Sequence, residues 1–345
     1  ITEGLVGSEM CIRDSFKAHC TRAPDGPLPR LPRCIRTALK TRDLMAKFNQ
    51  PDPRNNDTQC WVNGLVSRDR ASVHVLDSVV QGGDAVWEGL RITNGHAIQL
   101  DAHLKRLVDS AHALAFVDIP SLETLRESIF ETLQANGMRD GVHCRITLTR
   151  GKKSTSGMDP RLNVHGPTLI VVPEHKGMVY GDEGIKLVTS AIRRNSPQFL
   201  DSHIHHNNLL NNILAKIDAN VAGVDDAIML DDRGFLAETN ATNLFLIRNG
   251  QLLTPFAHAC LPGLTRRFVL DVAQRVGIEA KEAHLTLTEL YTAEEAFTTG
   301  TMGALAHVIE ADGRRIGNGD KGAITQRMQQ AYEELILETA TPLPF

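Results

Sequence analysis

Three short polar segments have the composition of backbone that binds phosphate: residues 238–243 (ETNATN), residues 262–265 (PGLT) ahead of a helical pattern, and residues 299–303 (TGTMG). Backbone N–H groups at a helix N-terminus or in a glycine-rich nest hold a phosphate, and hydroxyls add donors. Each segment alone is weak, because PGLT also reads as a turn with a helix cap and TGTMG as a plain loop. Arg91, following Trp87-Glu88-Gly89-Leu90, adds a fixed cation, and Glu238 adds a carboxylate beside the cradle. A phosphate clamp with a nearby acid suits a phosphorylated heteroaromatic cofactor whose ring nitrogen keeps its proton. His203, His205 and His206 add imidazoles able to move protons near neutral pH. The same cluster reads as a polar helix entrance. With no carboxylate or cysteine at companion spacing, it makes a poor metal site.

The elements that must position these residues follow from periodicity. Strand-like residues begin at Trp61 around an Asn63-Gly64 turn. A helix opens at Leu100-Asp101, with Asp101 as expected N-cap and Leu104, Leu107, Ala111 and Leu114 at helical spacing. A second helix spans 121–135 from the Ser121 cap to Gly137, and strands follow at 142–149 and 169–172. Residues 173–184, polar and glycine-rich, suit an interdomain linker. Beyond them come a strand at 185–191, a strongly periodic helix at 208–221, strands at 226–231 and 234–238, and a pair across Asn249-Gly250. A helix at 263–276, strands at 278–283 and 295–299, a short helix at 287–293 and a closing helix at 323–339 complete an α+β pattern of two lobes. The expected division is 45–172 for a small domain, 173–184 for the linker and 185–345 for a large domain.

Residues 1–44 are expected to stand outside the fold. Residues 5–15 match an in-frame translation of a transposase-adaptor sequence, and residues 16–44, rich in Arg and Pro, read as untranslated leader ahead of Met45 or as a transit peptide. The 345 residues carry 42% hydrophobic and 23% charged residues with a formal net charge of −4, which speaks against nucleic acid or anionic membrane as partner. No apolar run is long enough for a membrane helix. Outside residues 1–44 the cysteines are Cys60, Cys144 and Cys260, widely spaced, as expected of a reducing, cytoplasmic compartment and not of zinc.

The motifs WVNG, VHVLDSVVQGGDAVWEGLR, LDAHLKRLVDSAHAL, RRNSPQFLDSHIHHNNLLNNILAKIDA, AETNATNLFLIRNGQLLTP, LPGLTR and FTTGTMGA, in this order, resemble the class IV (fold type IV) pyridoxal-phosphate enzymes, which include branched-chain and D-amino acid aminotransferases and aminodeoxychorismate lyase. The resemblance runs from Trp61 to the C-terminus. It implies the two-lobed fold type IV architecture, a homodimer, and pyridoxal 5'-phosphate held at its phosphate by Arg91, Leu264, Thr265 and Thr301 and at its ring nitrogen by Glu238. It also implies that Arg145, Arg150 and Met302 lie near the substrate.

One departure concerns the chemistry itself. The family segment LDPRxKxxNYLNNILA supplies the lysine that condenses with the cofactor aldehyde, and its ungapped counterpart here is LDSHIHHNNLLNNILA, with His205 at the lysine position. An imidazole forms no stable Schiff base, although it moves protons. Leu209 replaces a family tyrosine, and Gly82 stands where many members carry another. The expected activity is amino-group transfer between a small, branched-chain-type amino acid and a 2-oxo acid, with His205 as substituted proton carrier. A catalytically inactive pyridoxal-phosphate-binding homologue and a lyase-type or lysine-independent enzyme are the alternatives.

Overall fold

The computed structural model describes residues 52–345, so the expectations for residues 1–44 lie outside the described residues. The first lobe is a seven-stranded sheet. Its strands are β1 (Gln59–Val62), β2 (Leu65–Ser67), β3 (Ala85–Thr93), β4 (His96–Ile98), β5 (Val142–Thr149), β6 (Thr168–His175) and, from the far end of the chain, β16 (Ala340–Pro342), in the order β16-β4-β3-β5-β6-β1-β2. β3 and β5 pair antiparallel from Ala85↔Thr149 to Ile92↔Val142. A short helix α1 (Ser78–Gly82) precedes β3, while α2 (Leu100–Ala113) and α3 (Leu122–Ala135) cover one face of the sheet. They cover that face because the inward residues of β3 and β5 (Val86, Leu90, Ile92, Cys144, Ile146, Leu148) meet Leu104, Leu107, Ala111, Leu125, Ile129 and Leu133 on the helices. Strand period two and helix period 3.6 thus deliver their apolar residues to one core.

Ser121 caps α3 as expected, accepting a hydrogen bond from the Thr124 N–H at 3.1 Å. Asp101 does not cap α2. The N-cap is Gln99 in the left-handed region, and Asp101 sits in the first turn, paired with Arg126 at 2.7 Å, where an acid still suits the positive helix end.

The second lobe is a nine-stranded mixed sheet with helices on both faces. β7 (Ile185–Thr189), β8 (Asp226–Leu230), β9 (Leu236–Thr239), β10 (Asn243–Arg248), β11 (Gln251–Pro255), β12 (Ala280–Ala283), β13 (Glu295–Gly300) and β14 (Ala304–Ala311) run in the order β12-β11-β10-β13-β14-β7-β8-β9, with β15 (Arg314–Arg315) paired to β14. β10 is buried on both faces, Phe245 and Ile247 on one side and Leu244 and Leu246 on the other, which explains its uninterrupted apolar run. Helices α5 (Leu264–Arg275) and α7 (Ala323–Leu335) cover the first of these faces through Phe268, Val272, Met328 and Tyr332. Helix α4 (Leu210–Ala222) lies on β7 and β8 through Ala215 and Ala219, and α6 (Leu287–Tyr291) closes the other face.

Several elements differ from expectation. β6 continues through Pro173 to His175, because its register with β5 holds to Val142↔His175, so the connecting segment is shorter than residues 173–184. β14 falls in residues the periodicity left unassigned. The closing helix stops at Leu335, passes through a 3-10 turn and returns as β16 to pair with β4, which carries the C-terminus into the first sheet. No helix among the described residues is long and apolar enough to cross a membrane, and no three metal-ligating side chains assemble among them. Cys60, Cys144 and Cys260 are buried free thiols.

Candidate active site

Glu88 belongs to the inward-facing series of β3 and is fully buried between Val86 and Leu90. A charge there is costly unless its lone pairs are satisfied. Helix α2 supplies donors, since His103 and Arg106, at i and i+3, share one face, with Ser110 at i+7 on the same face. Arg106 Nε and Nη2 each donate to the Glu88 carboxylate at 2.7 Å, and His103 Nδ1 lies 2.6 Å from Oε2. The fourth donor is His205 Nδ1, 3.0 Å from Oε1. Burial by itself would raise the Glu88 carboxyl, but the neighbouring His205, Arg106 and His103 hold it well below the ordinary carboxylate range. His205 is pushed below the usual imidazole value by burial, with Glu88 opposing, which favours its neutral form.

The segment carrying His205 is stitched to the edge of β3 beyond the end of β4. The Trp87 N–H donates to the His205 carbonyl at 2.9 Å and the Asn207 N–H to the Ala85 carbonyl at 2.8 Å. The His205 N–H donates to Ser110 Oγ at 3.1 Å, and the Trp87 indole N–H to the His206 carbonyl at 3.2 Å. The rings of Trp87 and His205 pack with centroids 4.2 Å apart. The guanidinium of Arg145 lies 3.9 Å from the Trp87 ring centroid, with Nη2 3.4 Å from Asn207 Oδ1. Arg145 pairs across the sheet with Gly89, where an added Cβ would stand 3.0 Å from His143 Nε2, so the glycine makes room for this layer. Burial brings His143 down to about 4 and also lowers Arg145, which has no carboxylate partner among the described residues.

The second lobe contributes Glu238 from β9. Arg194 Nε lies 2.7 Å from Glu238 Oε1, Asn212 accepts from Arg194 at 3.1 Å, and Asn243 Nδ2 donates to Glu238 Oε2 at 3.2 Å and to the Leu261 carbonyl at 2.9 Å. Burial raises the Glu238 carboxyl, with Arg194 opposing. Arg194 also helps to lower His206 to about 4, after the larger effect of burial, which ties this pair to the histidine segment.

Asn243 shapes the turn that opens α5: a Cβ on Gly263 would stand 2.1 Å from Asn243 Oδ1, so only glycine fits. α5 begins at Leu264 with no side-chain cap, which leaves the first N–H groups available. Arg106 Nη1 reaches toward the same turn, 3.5 Å from the Pro262 carbonyl. Thr299, paired with Asn243 across β10 and β13, has a buried hydroxyl without a partner. Thr301 and Met302 are half-buried in the following turn, where the Met302 carbonyl accepts from the Val179 N–H at 3.2 Å. An uncapped helix start, an unpartnered hydroxyl and a guanidinium at the turn supply donors, and a buried carboxylate an acceptor, a combination that fits a phosphorylated, protonated heteroaromatic ring.

Of the residues expected from sequence, His205 and Arg145 come together across Trp87, while Glu238, Leu264, Thr265, Thr301 and Met302 lie on the second lobe. Arg91 is half-buried on β3 opposite His143, and its charge is felt at Tyr332, the residue beside Thr265. The arginine at the Pro262 turn is Arg106. Arg150 is committed elsewhere: it donates to Asp84 at 2.6 and 3.1 Å and to the Leu114 and Ala115 carbonyls at 2.7 and 3.0 Å, anchoring the end of α2. Lys216 pairs with Asp226 and Lys186 with Glu310, both at 3.2 Å. Sequence reasoning missed Glu88, His103, Arg106 and Arg194. The available signal was the polar triplet His103, Arg106 and Ser110 at helical spacing, alongside one charge in the inward series of β3.

The family model described as amino-transferase class IV matches residues 85–310. Branched-chain-amino-acid aminotransferase-like protein 2 of Arabidopsis thaliana is 54% identical over 296 residues, covering 85% of this chain but 53% of that protein, so the chain spans about half the length of this relative. A putative branched-chain-amino-acid aminotransferase of Methanocaldococcus jannaschii is 39% identical, covering 80% of this chain and 95% of its own length. Among solved structures, a branched-chain aminotransferase from the thermophilic archaeon Thermoproteus uzoniensis, solved with norvaline, superposes with a TM-score of 0.76 at 30% identity, over 83% of this chain and 99% of that one. A branched-chain amino acid aminotransferase from Escherichia coli superposes with a TM-score of 0.76 at 29% identity, over 81% and 95% of the two chains.

Proposed function

This chain belongs to the class IV aminotransferase family, and from that premise we propose that it binds pyridoxal 5'-phosphate and moves an amino group between a small, branched-chain-type amino acid and a 2-oxo acid. The observation that carries the reading is Arg145: a largely buried guanidinium with no carboxylate partner among the described residues, laid on Trp87 beside His205. An unpaired cation in such a place is a receptor for an anion, and an amino or 2-oxo acid brings a carboxylate.

When bound, the cofactor supplies an electron sink that acidifies the Cα–H of an amino acid. In this reading Arg106 and the first amides of α5 hold its phosphate, with Leu264, Thr265, Thr299 and Thr301 around them and Arg91 behind. Glu238, kept in place by Arg194 and Asn243, faces the ring nitrogen. Arg145 orients the substrate carboxylate, and His205 Nε2 accepts and returns the Cα proton. Lacking the lysine amine, the chain loses the fast exchange route of its relatives, and slow turnover is expected. A second copy of the chain is part of the proposal: Leu210, Ile213, Leu214, Ile217 and Val221 form an exposed, uncharged stripe along α4, a face suited to self-association.

The test is titration with pyridoxal 5'-phosphate by absorbance, followed by amino transfer from L-leucine to 2-oxoglutarate in wild type and His205→Gln. Binding in both with turnover only in wild type supports the reading. Binding without turnover in wild type favours the catalytically silent homologue, and absence of binding removes the cofactor from the proposal.

A further inference from the structure

Glu88 has no role in the chemistry described so far, yet four hydrogen bonds converge on it in the interior. An ionised carboxylate only accepts, so each partner must donate. Arg106 already neutralises it with two bonds, and protonating either imidazole as well would leave net positive charge in a buried cluster. The groups facing His205 are Glu88 from β3, His103 and Arg106 from α2, and His206 from its own segment with Arg194 behind it. Ser110 and Trp87 hold its backbone, and the Trp87 ring lies against its imidazole. His205 Nε2 has no hydrogen-bond partner among the described residues, and the side chain keeps 13% of its surface exposed.

We propose that Glu88 is a positioning residue whose carboxylate fixes His205 as the Nδ1–H tautomer and thereby presents Nε2, with its lone pair, as the proton-accepting atom of the site. This rests on the reading of His205 as the proton carrier, but the arrangement is measurable without turnover. The other ring nitrogen decides which atom is free in any histidine site, so a mixed tautomer would halve the competent population at best.

The experiment uses the 15N-labelled full chain and long-range 1H–15N histidine spectra near pH 7, with the His205 signals identified by their loss in His205→Gln. Wild type is expected to show a protonated-type nitrogen at Nδ1 and an unprotonated-type nitrogen at Nε2. Glu88→Leu, which removes the acceptor altogether, should average the two, while His103→Gln, which leaves the carboxylate in place, should keep them distinct. An Nε2–H tautomer in wild type overturns the proposal even if Glu88→Leu fails to fold. An unchanged pattern in folded Glu88→Leu also overturns it, as does equal averaging in His103→Gln, since that reports general loosening. The predicted pattern in a chain without amino transfer leaves the positioning intact and removes only the proton-carrier reading.

Discussion

Replacing Arg145 with methionine separates binding from stability. Methionine keeps an unbranched stem against Trp87, so the packing of the layer formed by Trp87, Gly89 and His143 changes little. The fold loses a cation–π contact at 3.9 Å, about 0.5–2 kcal/mol, and a long 3.4 Å contact with Asn207. Against this, it no longer keeps an unpaired cation in a largely dry place, a cost that burial makes visible as a lowered Arg145 pKa. The two oppose one another, and unfolding free energy should change by less than the cation–π contact alone is worth, below about 2 kcal/mol. Binding has no such compensation: losing the partner of a desolvated carboxylate costs about 2–5 kcal/mol, or roughly 30-fold to a few thousand-fold in Kd. Isothermal calorimetry of the pyridoxal-phosphate-loaded protein with 4-methylvalerate, beside differential scanning calorimetry, measures both. A Tm lowered by several degrees with unchanged affinity would refute the argument and make Arg145 a structural prop.

His205→Lys should restore covalent capture of pyridoxal phosphate, seen as a new borohydride-reducible absorbance. His203→Lys should not, because His203 is exposed and its Nε2 lies 2.5 Å from the Ala257 carbonyl, and the reverse outcome would move the assignment by two residues. Arg106→Lys and Arg91→Ala, compared by pyridoxal phosphate titration, should both weaken binding, with Arg106→Lys costing more because that guanidinium alone touches the Pro262 turn and the Glu88 carboxylate; equal affinity for wild type and Arg106→Lys would count against the phosphate site. Stability should fall as pH drops from 6.5 toward about 4, the folded values of His143 and His206 lying near 4. In that window the unfolded chain binds protons the folded chain refuses, worth at most about 1.4 kcal/mol per pH unit for each histidine before solvent screening. A further loss should follow below 4.5 as Glu88 is driven toward its depressed folded value, and urea midpoints flat from pH 7 to 4 would contradict both.

Elements whose signals are local were legible from the chain alone. The helix at Leu122–Ala135 and the strand at Val142–Thr149 lie where their cap and alternation place them, because a Ser121 hydroxyl and a two-residue period act within a few residues of sequence. The helix ahead of them also lies where its spacing predicts, but its cap does not: Gln99 bends into the left-handed region so that β4 can turn directly into α2, a demand that comes from the sheet and leaves no side-chain signature. β14 escaped notice because ALAHVIEA is buried between β13 and β7 and does not alternate cleanly. β16 was invisible for the opposite reason, three residues whose strand character exists only through pairing with β4.

Residue types and order by themselves determined the family and the α+β class, and they singled out the polar turns and the histidine segment on which the proposed site is built, since composition, short-range spacing and motif order carry that information. Which side chains meet was decided by tertiary structure. Arg91 and Arg150 look as suitable in sequence as Arg106 and Arg145, but a guanidinium reaches several ångströms from its backbone and takes whichever acceptor the packing brings to it. For Arg150 that is Asp84 and the end of α2, and for Arg106 it is Glu88, brought within 2.7 Å by the seating of α2 on β3.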